Sequence, residues 1–70
     1  LAEGIVKRLF EDRGFGFIKA EDGREVSFHE TALQNIRFDL LKEGDPVEFN
    51  VMEEYKGPKA VNIVVNEKKG

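Results

Sequence analysis

Phe15 and Phe17 stand one residue apart, each preceded by a glycine, in the run Arg13-Gly14-Phe15-Gly16-Phe17-Ile18. On an extended strand, residues two apart share a face, so these rings would lie side by side on one surface. Two flat apolar rings beside a guanidinium suit base stacking, with a cation near the phosphates. Each base–aromatic stack contributes roughly 1–3 kcal/mol and tolerates any sequence, because every base has a π-face. Ser27 and His29 repeat the two-residue spacing twelve residues later. A hydroxyl and an imidazole also raise nucleophilic catalysis, but on an open strand this pair has no orienting acid and no oxyanion site, so no enzyme is expected. His29 is the only histidine and cysteine is absent, so neither a metal nor a cofactor is expected. Gly14 and Gly16 precede a strand rather than a helix N-terminus, which makes a phosphate cradle a poor fit.

Five short alternating segments must hold these residues. Gly4 to Phe10 reads as a first strand and Phe15 to Ala20 as a second, with Glu11 to Gly14 as the turn between them. Asp22-Gly23 is a strong hairpin signal, and Arg24 to His29 is the returning third strand. Residues 30 to 45 break the alternation, with a short helical turn expected at Thr31 to Leu33. Val47 to Glu53 forms a fourth strand. Tyr55 to Lys59 is expected to be a loop, because Gly57-Pro58 interrupts regular structure, and Ala60 to Val65 a fifth strand. A flat five-stranded sheet would leave an apolar face wet and its edges open, and curling into a barrel resolves both. The expected fold is all-β: a five-stranded antiparallel Greek-key barrel of the oligonucleotide/oligosaccharide-binding (OB-fold) type.

Strand parity then sorts the side chains. Ile18, Val26 and Phe28 point to the core, leaving Phe15, Phe17, Ser27 and His29 outward with Lys7, Arg8 and Arg13 around them. Seventy residues make one domain, expected over 1–66 with a polar tail at 67–70. Charged residues are 36% of the chain and the formal net charge is −3. Neither half is basic, so binding by bulk electrostatics is excluded and a nucleic acid must be held by a local patch with stacking. Nothing resembles a signal peptide or a membrane span, which fits a cytoplasmic protein without a membrane partner. Leu1 at the start fits a trimmed chain or part of a longer one.

Across residues 3 to 65 the chain resembles the cold-shock domain. The resemblance is carried by Gly4 to Lys7, Arg13 to Ile18, Val26 to Glu30, Glu43 to Phe49 and Gly57 to Ile63. It implies a five-stranded barrel that binds single-stranded RNA or DNA with little sequence preference, as an RNA chaperone or a regulator of transcription or translation. By the same resemblance Lys56 and Lys59 lie on a loop that contacts the strand, and Phe38 either clamps a base or pins the long connection. The chain departs from the family pattern at Arg8, where a stacking tryptophan is usual, and at Ser27 and Glu30, where aromatics are usual. Arg8 can offer its guanidinium plane for stacking, and Phe10, at the same parity, can restore some aromatic area.

The expected interface is thus Lys7, Arg8, Phe10, Arg13, Phe15, Phe17, Ser27, His29, Phe38, Lys56 and Lys59, on a monomer with no small-molecule substrate and weaker binding than in typical members. The alternative is a protein-interaction module on the same barrel, its stacking surface decayed. The RNA-recognition motif, which shares the Arg13 to Ile18 pattern, is excluded because only twelve residues precede Arg13, too few for its leading strand and helix.

Overall fold

The alternation of apolar residues produces five strands in the computed structural model, which describes residues 1–66. The tail expected at 67–70 lies outside the described residues. The strands are β1 (Ala2–Phe10), β2 (Phe15–Ala20), β3 (Glu25–His29), β4 (Pro46–Glu54) and β5 (Gly57–Val65). They close a barrel in the order β1-β2-β3-β5-β4. All pairings are antiparallel except the seam between β3 and β5, which run parallel with Ser27 opposite Lys59. The crossover between β3 and β4 makes this seam. It contains two 3-10 turns, Glu30–Ala32 and Phe38–Leu40, and Leu33 bridges to Ile63 on its way.

One face of every strand fills the barrel. Val6, Ile18, Ala20, Val26, Phe28, Val47, Phe49, Ala60 and Ile63 are buried, joined by Leu41 from the crossover. No polar side chain is buried with them among the described residues, so the interior is held by apolar packing alone. Asn35 ties the crossover to the last strand: its amide donates to the Val65 carbonyl at 3.1 Å, and its oxygen accepts the Val65 N–H at 3.0 Å. The side chain thereby imitates one residue of a neighbouring strand.

Two local features differ from the sequence expectation. Gly57, Pro58 and Lys59 are the first residues of β5, and only Tyr55 and Lys56 turn between Glu54 and Gly57. Pro58 is tolerated because it lies near the strand start, where β5 meets β3 only at Lys59 and the missing N–H breaks no ladder. In β1, the register slips between Val6 and Arg8. Strict alternation would put both on one face; the bulge at Lys7 leaves Val6 buried and turns Arg8 outward, opposite Phe17.

The Asp22-Gly23 hairpin forms as expected, with three loop residues. The Gly23 N–H donates to the Ala20 carbonyl at 2.9 Å and the Ala20 N–H to the Arg24 carbonyl at 2.8 Å. Asp22 accepts the Arg24 N–H through its carboxylate at 3.0 Å, holding the turn from its side chain.

Candidate nucleic-acid interface

The registers of β1, β2, β3 and β5 lay the expected residues out in two rows on the outer face of the barrel. Phe10, Phe15 and His29 form one row, and Arg8, Phe17, Ser27 and Lys59 the next. Seven of the eleven expected residues therefore share one continuous surface. Gly16 makes this arrangement possible. A Cβ at that position would come within 2.5 Å of the Arg8 carbonyl oxygen and 2.9 Å of the Phe28 ring. Only glycine lets β1 lie flat over β2 while Phe28 packs beneath, so the two flanking phenylalanines are presented outward.

The three outward rings touch one another. Phe10 and Phe15 stack with centroids 4.8 Å apart and planes inclined by 22°. Phe17 meets both edge-on, at 6.1 Å from Phe10 and 5.9 Å from Phe15. Each of the three is half-buried. The Arg8 guanidinium sits over the Phe10 ring, its carbon 5.2 Å from the centroid. Arg8 thus joins the aromatic cluster as a cation on a π-face. Such contacts fix the rings before any ligand arrives, which lowers the entropic cost of stacking a base on them.

His29 is oriented by its own backbone turn. Its Nδ1 accepts the Thr31 N–H at 3.2 Å and lies 3.0 Å from the Thr31 hydroxyl, capping the turn that follows. With Nδ1 accepting, the neutral ring carries its proton on Nε2. The ring is therefore a fixed, exposed plane beside Phe15.

The remaining four expected residues stand apart from the rows. Lys7 is at the bulge, its ammonium bonded to Glu25 at 2.5 Å. That contact holds the Glu25 carboxyl below the usual glutamate range, first through the hydrogen bond and then through the charge of Lys7. Arg13 is exposed in the β1–β2 turn, where its N–H donates to the Phe10 carbonyl at 2.9 Å. Lys56 is exposed at the tip of the β4–β5 hairpin. Phe38 packs edge-on against the core residue Phe28 at 6.3 Å and is half-buried, so its ring anchors the crossover to the barrel.

Strand parity also identifies a residue the motif reading passes over. Lys19 follows Phe15 and Phe17 on the outer face of β2, opposite Glu25. Lys19, Lys56 and Lys59 have no carboxylate partner among the described residues. The opposite end of the surface is acidic. The Glu30 carboxylate folds over Gly14, where a Cβ would lie 2.8 Å from its oxygen. With Glu11 and Asp39 it lines a groove beside Phe38 and Ile36. Arg37 in that groove is bonded to Asp39 at 2.9 Å.

Comparison with known proteins bears on the family and the fold. Residues 2–66 match the family described as 'Cold-shock' DNA-binding domain. The chain is 46% identical over 63 residues to a major cold shock protein of Streptococcus pyogenes serotype M6, covering 90% of this chain and 94% of that one. It is 42% identical over 62 residues to the cold shock-like protein CspC of Bacillus cereus, covering 89% and 95%. Among solved structures, "drosophila Unr CSD456" superposes with a TM-score of 0.76 at 28% identity over 94% of this chain, which spans 26% of that longer one. The barrel, its outward phenylalanines and these relatives together establish that the chain belongs to the cold-shock domain family.

Proposed function

We infer that this chain binds single-stranded RNA or DNA, without catalysis, on the outer face of β1, β2 and β3. The observation that carries this reading is the mutually fixed cluster of Phe10, Phe15 and Phe17, in register with His29 and Lys59. A half-exposed group of three rings contributes little to the core, and its surface suits the faces of unpaired bases. Ser27 lies between Phe17 and Lys59, where a hydroxyl can hydrogen-bond a base edge or sugar. Arg8, Arg13, Lys56 and Lys59 supply the cations for phosphates, while Lys7 must first part from Glu25. In this reading Phe38 shapes the crossover more than it clamps a base. We further propose that it acts in the cytoplasm as a monomer, keeping RNA unpaired or regulating transcription or translation.

Binding weaker than in typical members follows from two features: Arg8 stands where the family usually has a stacking tryptophan, and Glu30, its carboxylate over Gly14, stands where an aromatic is usual. The same two features favour the second reading, a barrel of this family that binds protein through a reduced aromatic surface. Titration of an end-labelled single-stranded oligonucleotide at two salt concentrations separates them. Saturable binding that weakens with salt is expected; no signal change at high micromolar protein would favour the protein-binding module.

A further inference from the structure

Tyr55 is the one aromatic residue that packs neither in or against the barrel core nor in the three-ring cluster. It occupies the two-residue turn between β4 and β5 and is fully exposed. Such turns ordinarily carry glycine, asparagine, aspartate or serine. A tyrosine there buries no surface, so folding gains nothing from its ring.

The register fixes where this ring stands relative to the platform. Lys59 lies opposite Ser27, which lies opposite Phe17. Because β5 runs parallel to β3, the residues before Lys59 extend past the Glu25 end of β3, away from His29 and Glu30. Two residues of strand separate Lys59 from Gly57, about 7 Å, and Tyr55 stands in the turn just beyond that point.

Charge is distributed unequally between the two ends. Toward the hairpin, Lys19, Lys59 and Lys56 carry no carboxylate partner among the described residues, Glu25 is bonded to Lys7, and Glu53 is bonded to Arg24 at 3.5 Å. Glu54 is the carboxylate next to the ring. Toward the crossover, Glu11, Glu30 and Asp39 line the groove and outnumber the exposed Arg13 of the β1–β2 turn, Arg37 is bonded to Asp39, and Phe38 is committed to Phe28. A polyanion crossing Phe15 and Phe17 therefore meets an excess of carboxylates at the crossover end and an excess of unpaired lysines at the hairpin end.

We propose that the bound single strand is displaced toward the β4–β5 hairpin, where Tyr55 stacks a base and Lys56 and Lys59 meet the flanking phosphates, and that it stops short of Phe38. This rests on the single-strand reading above and assigns a binding residue to a turn that strand parity does not reach.

The chain supplies its own probe. Tyr55 is the sole tyrosine and there is no tryptophan, so tyrosine emission reports this one ring. An end-labelled oligothymidine is titrated while anisotropy of the label and emission of Tyr55 are followed together, with free tyrosine amide correcting for absorption by the oligonucleotide. Emission should be quenched saturably, with the midpoint given by anisotropy. Anisotropy that saturates while emission stays constant overturns the placement of Tyr55 and leaves the single-strand reading standing. No anisotropy change overturns both. Tyr55→Ala should lose about tenfold in affinity, Tyr55→Phe should stay near the parent, and Phe38→Ala should change affinity far less than Tyr55→Ala. A Tyr55→Ala chain that binds like the parent contradicts the proposal.

Discussion

Phe10 stacks on Phe15 at 4.8 Å, the last residue of β1 lying over the first residue of β2 across a four-residue turn. The two rings support each other, so their effects on binding should be coupled. Phe15→Ala and Phe17→Ala should each weaken oligonucleotide binding by roughly 1–3 kcal/mol. Phe10→Ala should weaken it by less alone, and the double change Phe10→Ala with Phe15→Ala should fall short of the sum, as expected for residues in contact. Strict additivity in that cycle would mean the stack plays no part in presenting Phe15.

Glu30 is expected to restrain binding. Removing its charge with Glu30→Gln should tighten binding at low salt, and the gain should shrink as salt screens the repulsion. Arg8→Trp combined with Glu30→Phe should tighten it further by adding two stacking faces. Unchanged affinity in both variants would show that neither position faces the strand.

Salt dependence should be shallow, because few cations face the platform. With about three or four phosphate contacts, the slope of log affinity against log salt should be about −2 to −3 for a single strand. Lys59→Ala should reduce that slope by less than one unit, whereas Lys42→Ala, on the crossover, should leave it unchanged.

Gly16→Ala should destabilise the barrel by roughly 1–3 kcal/mol, the usual cost of forcing atoms into a packed site. The added methyl would meet a backbone carbonyl at 2.5 Å and the buried Phe28 ring at 2.9 Å, and neither has room to move. Urea denaturation reads the loss directly; a variant as stable as the parent would contradict the close approach of β1 to β2.

The Lys7–Glu25 pair gives a small pH dependence of stability. Glu25 has its carboxyl pulled below the ordinary value of 4.5 by Lys7. Its contribution is therefore complete above that value and is lost as pH falls through the lower, folded-state value. Thermal unfolding followed from neutral pH into acid should show a slightly steeper loss for the parent than for Glu25→Gln. Because both side chains are about half exposed, the difference should be small and should vanish in high salt.

Much of this surface is legible in the sequence because β2 and β3 keep strict alternation. Ile18, Val26 and Phe28 are unambiguous core residues, and they force Phe15, Phe17, Ser27 and His29 outward. The first strand is less readable. Val6 and Leu9 both pack inward although they are three residues apart, which requires the bulge at Lys7, and no single residue type announces a bulge. Gly57-Pro58 misleads for a similar reason: proline excludes a central ladder position, but β5 has no such demand near its start. Ring contacts such as Phe10 on Phe15 depend on rotamers and register together, and neither is fixed by strand parity. The position of Tyr55 beyond the Glu25 end of β3 follows only once the parallel seam with β5 is known.

Selectivity for unpaired bases tests the central claim most directly. A labelled single-stranded DNA of about ten nucleotides and the same sequence as a duplex are titrated with the protein at one low salt concentration. Stacking on Phe10, Phe15 and Phe17 requires exposed base faces, so the single strand should saturate at least tenfold more tightly than the duplex. Equal affinity for the two would contradict base stacking, and binding to neither would contradict a nucleic-acid interface.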